Sequence, residues 1–212
     1  SKAEKWIKEY KGKIAETPEE AAKDSDFVFT CVGNDDDLKE VAIGKKGIFN
    51  TIKKGSIYID NTTASAAVAR ELYKNARTHG FGFLDAPVSG GQAGAEKGAL
   101  TVMVGGDKKD FDKAKNIINC YSKKVQLLGP SGSGQLAKMV NQICIAGLVQ
   151  GLSEAINFGL NAELKMEDVI DVISKGAAQS WQMENRYKTM IDDKFDFGFA
   201  VDWMRKDLKI AL

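Results

Sequence analysis

The apolar positions change period along the chain, and the change divides it. Short continuous apolar runs occur at 27–32 (FVFTCV), 56–60 (SIYID), 81–88 (FGFLDAPV), 99–106 (ALTVMVGG) and 124–129 (KVQLLG). Runs of this length, rich in β-branched and aromatic residues, predict strands buried on both faces. The segments between them carry helical spacing. Ser1–Tyr10 is amphipathic, and ASAAVARELYKNARTHG runs to a stop at His79-Gly80. TPEEAAKDSD offers Thr17 as N-cap, Pro18 at the first helical position and Glu20 at the capping-box position. DKKDFDKAKNIINCYS (107–122) is a further helix. Strands alternating with helices predict βαβ units and a mostly parallel sheet.

After Gly134 the pattern becomes helical throughout. Gln135–Ala162 is mostly apolar and rich in small residues. KMEDVIDVISKG and SWQMENRYKTMI predict two more helices, and Lys206–Leu212 opens another. A boundary therefore falls near 130–134, with an α/β domain over 1–132 and an all-helical domain over 133–212. The chain opens inside a helical pattern and stops in another, so it is expected to be a piece of a longer protein.

Charge adds little to this picture. Thirty basic and 29 acidic residues are intermixed, for a net charge of +1, which gives no field to attract nucleic acid or anionic lipid. No leader and no uncharged run of 18 apolar residues is present, so a cytoplasmic protein bound to neither membrane nor nucleic acid is expected. Cys31, Cys120 and Cys144 are widely spaced in apolar settings and are expected to be buried, reduced thiols. A single histidine, His79, leaves a histidine-based metal site or triad starved of parts, and its place just before Gly80 is that of a helix-end residue. No metal is expected.

Candidate chemistry gathers at strand ends. GSGQLA (132–137) matches G-x-G-x-x-A after a strand, yet no second strand closes the unit and Glu154 lies in the same helix. The glycines instead place Lys138 at a helix start. There the macrodipole and desolvation are expected to lower its pKa toward the range of a general acid–base. Asn141 and Gln142 follow on the same helical face. In the loop after the third strand, Ser89-Gly90-Gly91 offers a hydroxyl and approachable backbone N–H groups to a carboxylate. CVGNDDD, with Asn34 or Asp35 as N-cap, and DNTTAS, with Asp60 to Thr63, supply two more polar strand ends. Ligands bind at such ends in open parallel sheets. Capping alone also accounts for each of them.

DAPVSGGQAGAEKGALTVMVGG, GSGQLAKMVNQ and KDLKIAL, in this order, resemble the 3-hydroxyisobutyrate dehydrogenase-like family of β-hydroxyacid dehydrogenases, relatives of 6-phosphogluconate dehydrogenase. The resemblance extends through CVGNDDD and DNTTAS. It implies a Rossmann-type parallel-sheet domain, incomplete at its amino end, followed by an all-α domain entered by a long helix. It also implies an NAD- or NADP-dependent oxidoreductase that interconverts a small β-hydroxy acid and its semialdehyde. By the resemblance, Lys138 is the catalytic lysine, and Ser89, Gly90, Gly91 and Asn141 hold substrate with Asp207 nearby. Val32, Gly33, Asp37, Thr63 and Lys206 lie against the cofactor.

One departure matters. The amino-terminal G-x-G-x-x-G turn of the family is not in this sequence, so the piece as it stands is expected to bind a dinucleotide poorly or not at all. The choice between NAD and NADP is not encoded in it. A homodimer or homotetramer is implied. Reduction of glyoxylate, succinic semialdehyde or tartronate semialdehyde remains open as an alternative reaction, as does a non-catalytic binding module. The absence of an arginine cluster argues against a phosphorylated substrate.

Overall fold

A computed structural model describes residues 2–196 and 198–212. Ser1, the first residue of the expected amphipathic segment, lies outside the described residues. The chain divides into two compact units, Ser1–Lys138 and Met139–Leu212.

The first unit opens with α1 (Lys2–Glu9) and α2 (Pro18–Ala22), the latter capped by Thr17, whose side chain accepts from the Glu20 N–H. Three parallel strands follow: β1 (Phe27–Thr30), β2 (Ile57–Asp60) and β3 (Gly82–Asp85). They are in register, Thr30 opposite Asp60 and Asp60 opposite Asp85. Their connections are α3 (Asp35–Ile43), capped by Asn34, and α4 (Ala66–His79), capped by Ser65. Gly80 closes α4 in the left-handed conformation. The two-residue period of the strands sorts their side chains. Tyr58 and Phe83 pack with Leu38, Val68 and Leu72 on one face; Ile57, Ile59 and Leu84 pack with Phe111 and Ile118 on the other.

The run at 81–88 is two strands rather than one. Proline has no N–H for the ladder, and β3 ends at Asp85, before Pro87. β4 (Val88–Ser89) then pairs antiparallel with β5 (Leu100–Gly106) across the short α5 (Gly91–Glu96). β5 in turn runs antiparallel to β3, and α6 (Lys108–Ile118) returns the chain to β6 (Ser122–Gly129), parallel to β5. The six-stranded sheet is therefore mixed, parallel through β1–β3 and again at β5–β6.

The helix α7 (Ser133–Asn161) leaves this sheet and continues past Lys138 into the second unit. The boundary expected at 132/133 lies at its amino end. α7 is long and apolar enough by length and composition to cross a membrane. Its first turn, however, is hydrogen-bonded to Asp85 of β3 and to the loop after β2. In the second unit α8 (Met166–Ile173) and α9 (Trp181–Ile191) follow, then α10 (Val201–Ala211). Leu152 and Ile156 pack there with Met166, Ile170 and Met183.

The expectation of buried thiols is overturned. Cys31, Cys120 and Cys144 are all exposed. Cys31 follows the last residue of β1, and Cys120 follows α6, where its thiol donates to the Asn116 carbonyl. Cys144 lies beside exposed Ile143 on α7. An apolar neighbourhood in sequence therefore did not mean a buried one in space.

Candidate active site

The carboxyl ends of β1, β2 and β3 form one hydrogen-bonded layer. Asp60, fully buried, sits at its centre. Thr30 Oγ1 lies 2.9 Å from Asp60 Oδ1 and 2.8 Å from the Tyr58 hydroxyl. Thr30 has one hydroxyl proton, so it donates to Asp60 and accepts from Tyr58. The Thr62 N–H also donates to Asp60 Oδ1, while Thr62 Oγ1 accepts the Val32 N–H at 3.0 Å. Burial pushes Asp60 up to about 7; hydrogen bonds from Thr62 and Thr30 oppose the shift, and the Asp85 charge adds to it.

Of the expected cofactor residues, Val32 is bonded to this layer. Val32 and Gly33 follow β1, with Val32 held by Thr62. Asp37 is exposed in the first turn of α3, its N–H bonded to Asn34 Oδ1. Thr63 is half-buried between Thr62 and Ala64. Of the polar run at 60–63, Asp60 and Thr62 turn inward and Asn61 donates to the Ala86 carbonyl. Asn61 and Thr63 are both partly open to solvent.

The substrate-loop candidates lie one strand further. Ser89 ends β4 opposite Thr101, and Gly90 and Gly91 turn the chain with φ of +136° and +61°. L-residues rarely adopt such angles, so both glycines are required by the turn.

Lys138 is placed by two residues that the sequence reading left out of the site. Asp85, buried at the end of β3, accepts the Gly132 N–H at 2.8 Å and the Gln135 N–H at 3.1 Å. Backbone donation from Gly134 adds to these and, with them, opposes the upward shift that burial gives this carboxyl. Gln135, also buried, accepts the Ala64 N–H at 3.1 Å and donates to the Thr62 carbonyl at 2.8 Å. The start of α7 is thus tied to both β3 and the loop after β2.

Two glycines make the fit. A Cβ on Gly134 would stand 2.5 Å from the Met103 carbonyl oxygen, and one on Gly105 would stand 2.7 Å from the Asp85 carboxylate. Lys138 itself is buried at 6% exposure.

Contrary to what its position after the glycines predicts, Lys138 does not lie at the helix end. α7 begins at Ser133, so Lys138 is in its second turn, beyond the reach of the terminal field. The Asp85 carboxylate further offsets that field. Burial is the setting that remains.

In the second unit the candidates form another chain of bonds. Asn141 Nδ2 donates to Gln142 Oε1 at 2.8 Å, and Gln142 Nε2 donates to Asp207 Oδ2 at 2.6 Å. Asp207, 1% exposed, also pairs with Lys206 Nζ at 3.1 Å, and that amine lies over the Trp203 ring. Gln142 is therefore the hub that joins Asn141, Asp207 and Lys206. Sequence spacing had placed it on the right helical face and given it no role. Among the described residues, no cluster of three or more His, Cys, Asp or Glu could hold a metal.

Comparisons with known proteins place the chain in a family. Residues 1–129 match the NAD binding domain of 6-phosphogluconate dehydrogenase. Residues 132–212 match the NAD-binding domain of NADP-dependent 3-hydroxyisobutyrate dehydrogenase. An uncharacterised oxidoreductase of Shewanella frigidimarina is 61% identical over the whole chain, which spans 73% of that protein. A probable mitochondrial 3-hydroxyisobutyrate dehydrogenase of Dictyostelium discoideum is 35% identical over 97% of the chain and 66% of its own length. The solved structure of Mycobacterium tuberculosis 3-hydroxyisobutyrate dehydrogenase with L-serine superposes with a TM-score of 0.82 at 28% identity. That match covers 93% of this chain and 69% of that one. The resemblance in the motifs is thus carried by both halves: the chain belongs to the 3-hydroxyisobutyrate dehydrogenase-like family of NAD(P)-dependent hydroxyacid dehydrogenases, in the 6-phosphogluconate dehydrogenase-like superfamily.

Proposed function

We propose that the reaction is reversible oxidation of a small β-hydroxy acid of the 3-hydroxyisobutyrate type to its semialdehyde, with Lys138 as general acid–base. The observation that carries this reading is a lysine at 6% exposure in a helix hydrogen-bonded to two strand ends. An amine kept from bulk water and held in place suits proton transfer at a fixed atom. A bound nicotinamide cofactor would supply the hydride acceptor for the carbinol carbon. Lys138, as the neutral amine, takes the hydroxyl proton in oxidation; as the ammonium it returns the proton in reduction. Ser89, Gly90 and Gly91 hold the substrate carboxylate, and Asn141, steadied by Gln142, donates to the substrate.

The residues at the β1 and β2 ends fit a dinucleotide. Val32 and Gly33 sit where ligands meet open parallel sheets, and Thr63, like Asn61, is partly accessible. Lys206, paired with Asp207, is the cation on the second unit for the same cofactor. The L-serine bound to the Mycobacterium relative is itself a β-hydroxy acid, which supports the substrate class. Exposed Val140, Ile143, Leu148 and Phe158 on α7 support a homo-oligomer.

The experiment is a panel of small β-hydroxy acids and semialdehydes assayed with NAD and NADP on the full-length protein, with Ser89→Ala beside the wild type. A 3-hydroxyisobutyrate-like acid is expected to give the highest kcat/KM. Ser89→Ala is expected to raise its KM about tenfold, the worth of one hydrogen bond to a charged group. An unchanged KM removes Ser89 from the substrate loop. Turnover confined to glyoxylate, succinic semialdehyde or tartronate semialdehyde replaces the proposed substrate.

A further inference from the structure

We infer that Asp85 and Gln135 are positioning residues for Lys138, acting as a two-point clamp that sets the start of α7 against the strand ends. The inference rests on the reading of Lys138 as the acid–base group, and on the bonds that hold the start of its helix. The amino end of a helix presents N–H groups without intrahelical partners. A helix as apolar as α7 would ordinarily take a local Ser, Thr, Asp or Asn as cap. Here the acceptor comes from another strand, 47 residues earlier, as the carboxylate of Asp85. Both its oxygens are used, Oδ1 by Gly132 and Oδ2 by Gln135.

A capping carboxylate alone leaves a helix free to rotate about its end. Gln135 removes that freedom. Its side-chain amide accepts from Ala64 and donates to Thr62, so both of its polar atoms are engaged by one loop. The clamp thus fixes α7 along its axis through Asp85 and about its axis through Gln135. Lys138 follows Gln135 by three residues, on the same helical face. The room for the clamp is built in. Gly105 leaves space for the Asp85 carboxylate, and Gly134 lets the helix backbone approach the Met103 and Asp85 carbonyls. Asp85 also begins the segment that reaches Ser89 through Ala86, Pro87 and Val88. One residue therefore anchors both the lysine helix and the root of the carboxylate loop.

The test compares Asp85→Asn, Gln135→Met and Lys138→Ala in the full-length protein. Asp85→Asn keeps the shape and one carbonyl acceptor but loses the charge and the second acceptor. Gln135→Met keeps the length and loses both bonds. The clamp predicts that each lowers kcat roughly 10- to 100-fold, the scale of a small misplacement of a catalytic group. The KM for cofactor should stay within about twofold. The primary isotope effect with carbinol-deuterated substrate should rise, because proton and hydride transfer become slower than product release. Without any turnover, amide exchange at Gly132, Gly134 and Gln135 should accelerate in Asp85→Asn while β2 and β3 amides stay protected.

A folded Asp85→Asn protein with normal kcat and an unchanged isotope effect overturns the inference. So does a loss of kcat in step with the folded fraction alone. Should Asp85→Asn fail to fold, the same two results in Gln135→Met decide the matter. Lys138→Ala separates the layers. Near-normal turnover there overturns both the catalytic lysine and the clamp, whereas an inactive Lys138→Ala beside a normal Asp85→Asn overturns the clamp alone.

Discussion

Asp60 and Asp85 are register partners on adjacent parallel strands, both fully buried, and each has been given a different environment. Asp85 receives helix N–H donors. Asp60 receives Thr30 and Thr62, and its second oxygen has no hydrogen-bond partner. Burial therefore dominates at Asp60 and raises it to about 7 from 3.8. A folded-state value above the unfolded one means that the folded protein holds the proton more tightly between these limits. Its contribution to stability is fully present below about pH 4 and is lost as pH rises through about 7. Asp60→Asn, which cannot ionise, is expected to flatten the decline in Tm between pH 4 and 8. A thermal-melt series in which variant and wild type keep parallel slopes would contradict this. The sequence marked the run 60–63 as polar at a strand end. It did not tell which of the four side chains turn inward, because that depends on Thr30, Tyr58 and Val32, which lie on other parts of the chain.

At the scale of elements, the strands and most helices were legible because period and caps are local signals. Thr17 caps as expected, and of Asn34 and Asp35 it is Asn34 that caps; Ser65 and Ser180 cap α4 and α9 in the same local way. What escaped was set by distant partners. The break at Ala86-Pro87 and the antiparallel turn of β5 follow from pairing across the sheet. The cap of α7 comes from Asp85, 47 residues away. The GSG pattern matches a nucleotide turn in outline, whereas one of its glycines is required by close packing. A Cβ at Gly134 meets backbone oxygens at 2.5 and 2.6 Å, so Gly134→Ala should destabilise by about 1–3 kcal/mol, the cost of overpacking. Gly147 lies in the same helix with nothing within 4 Å of a Cβ, so Gly147→Ala should stabilise by about 0.5–1 kcal/mol. Denaturant melts of the pair check both signs, and like effects from the two would refute the packing account.

For the whole molecule, family membership and the bonded strand ends converge on one chemistry. The motifs were legible because the residues that carry them are contiguous: DAPVSGG, GSGQLAK and KDLKIAL. The bonds that hold those residues were not, since Gln135 reaches Thr62 and Gln142 reaches Asp207 across 73 and 65 residues. The account therefore stands or falls on the buried amine. The most direct measurement is the pre-steady-state rate of cofactor reduction in full-length Lys138→Ala, with cofactor affinity measured alongside. The account predicts a rate at least about 100-fold below wild type, in the range expected for a lost general base, with dinucleotide Kd within about threefold. A near-wild-type rate at unchanged affinity would contradict it.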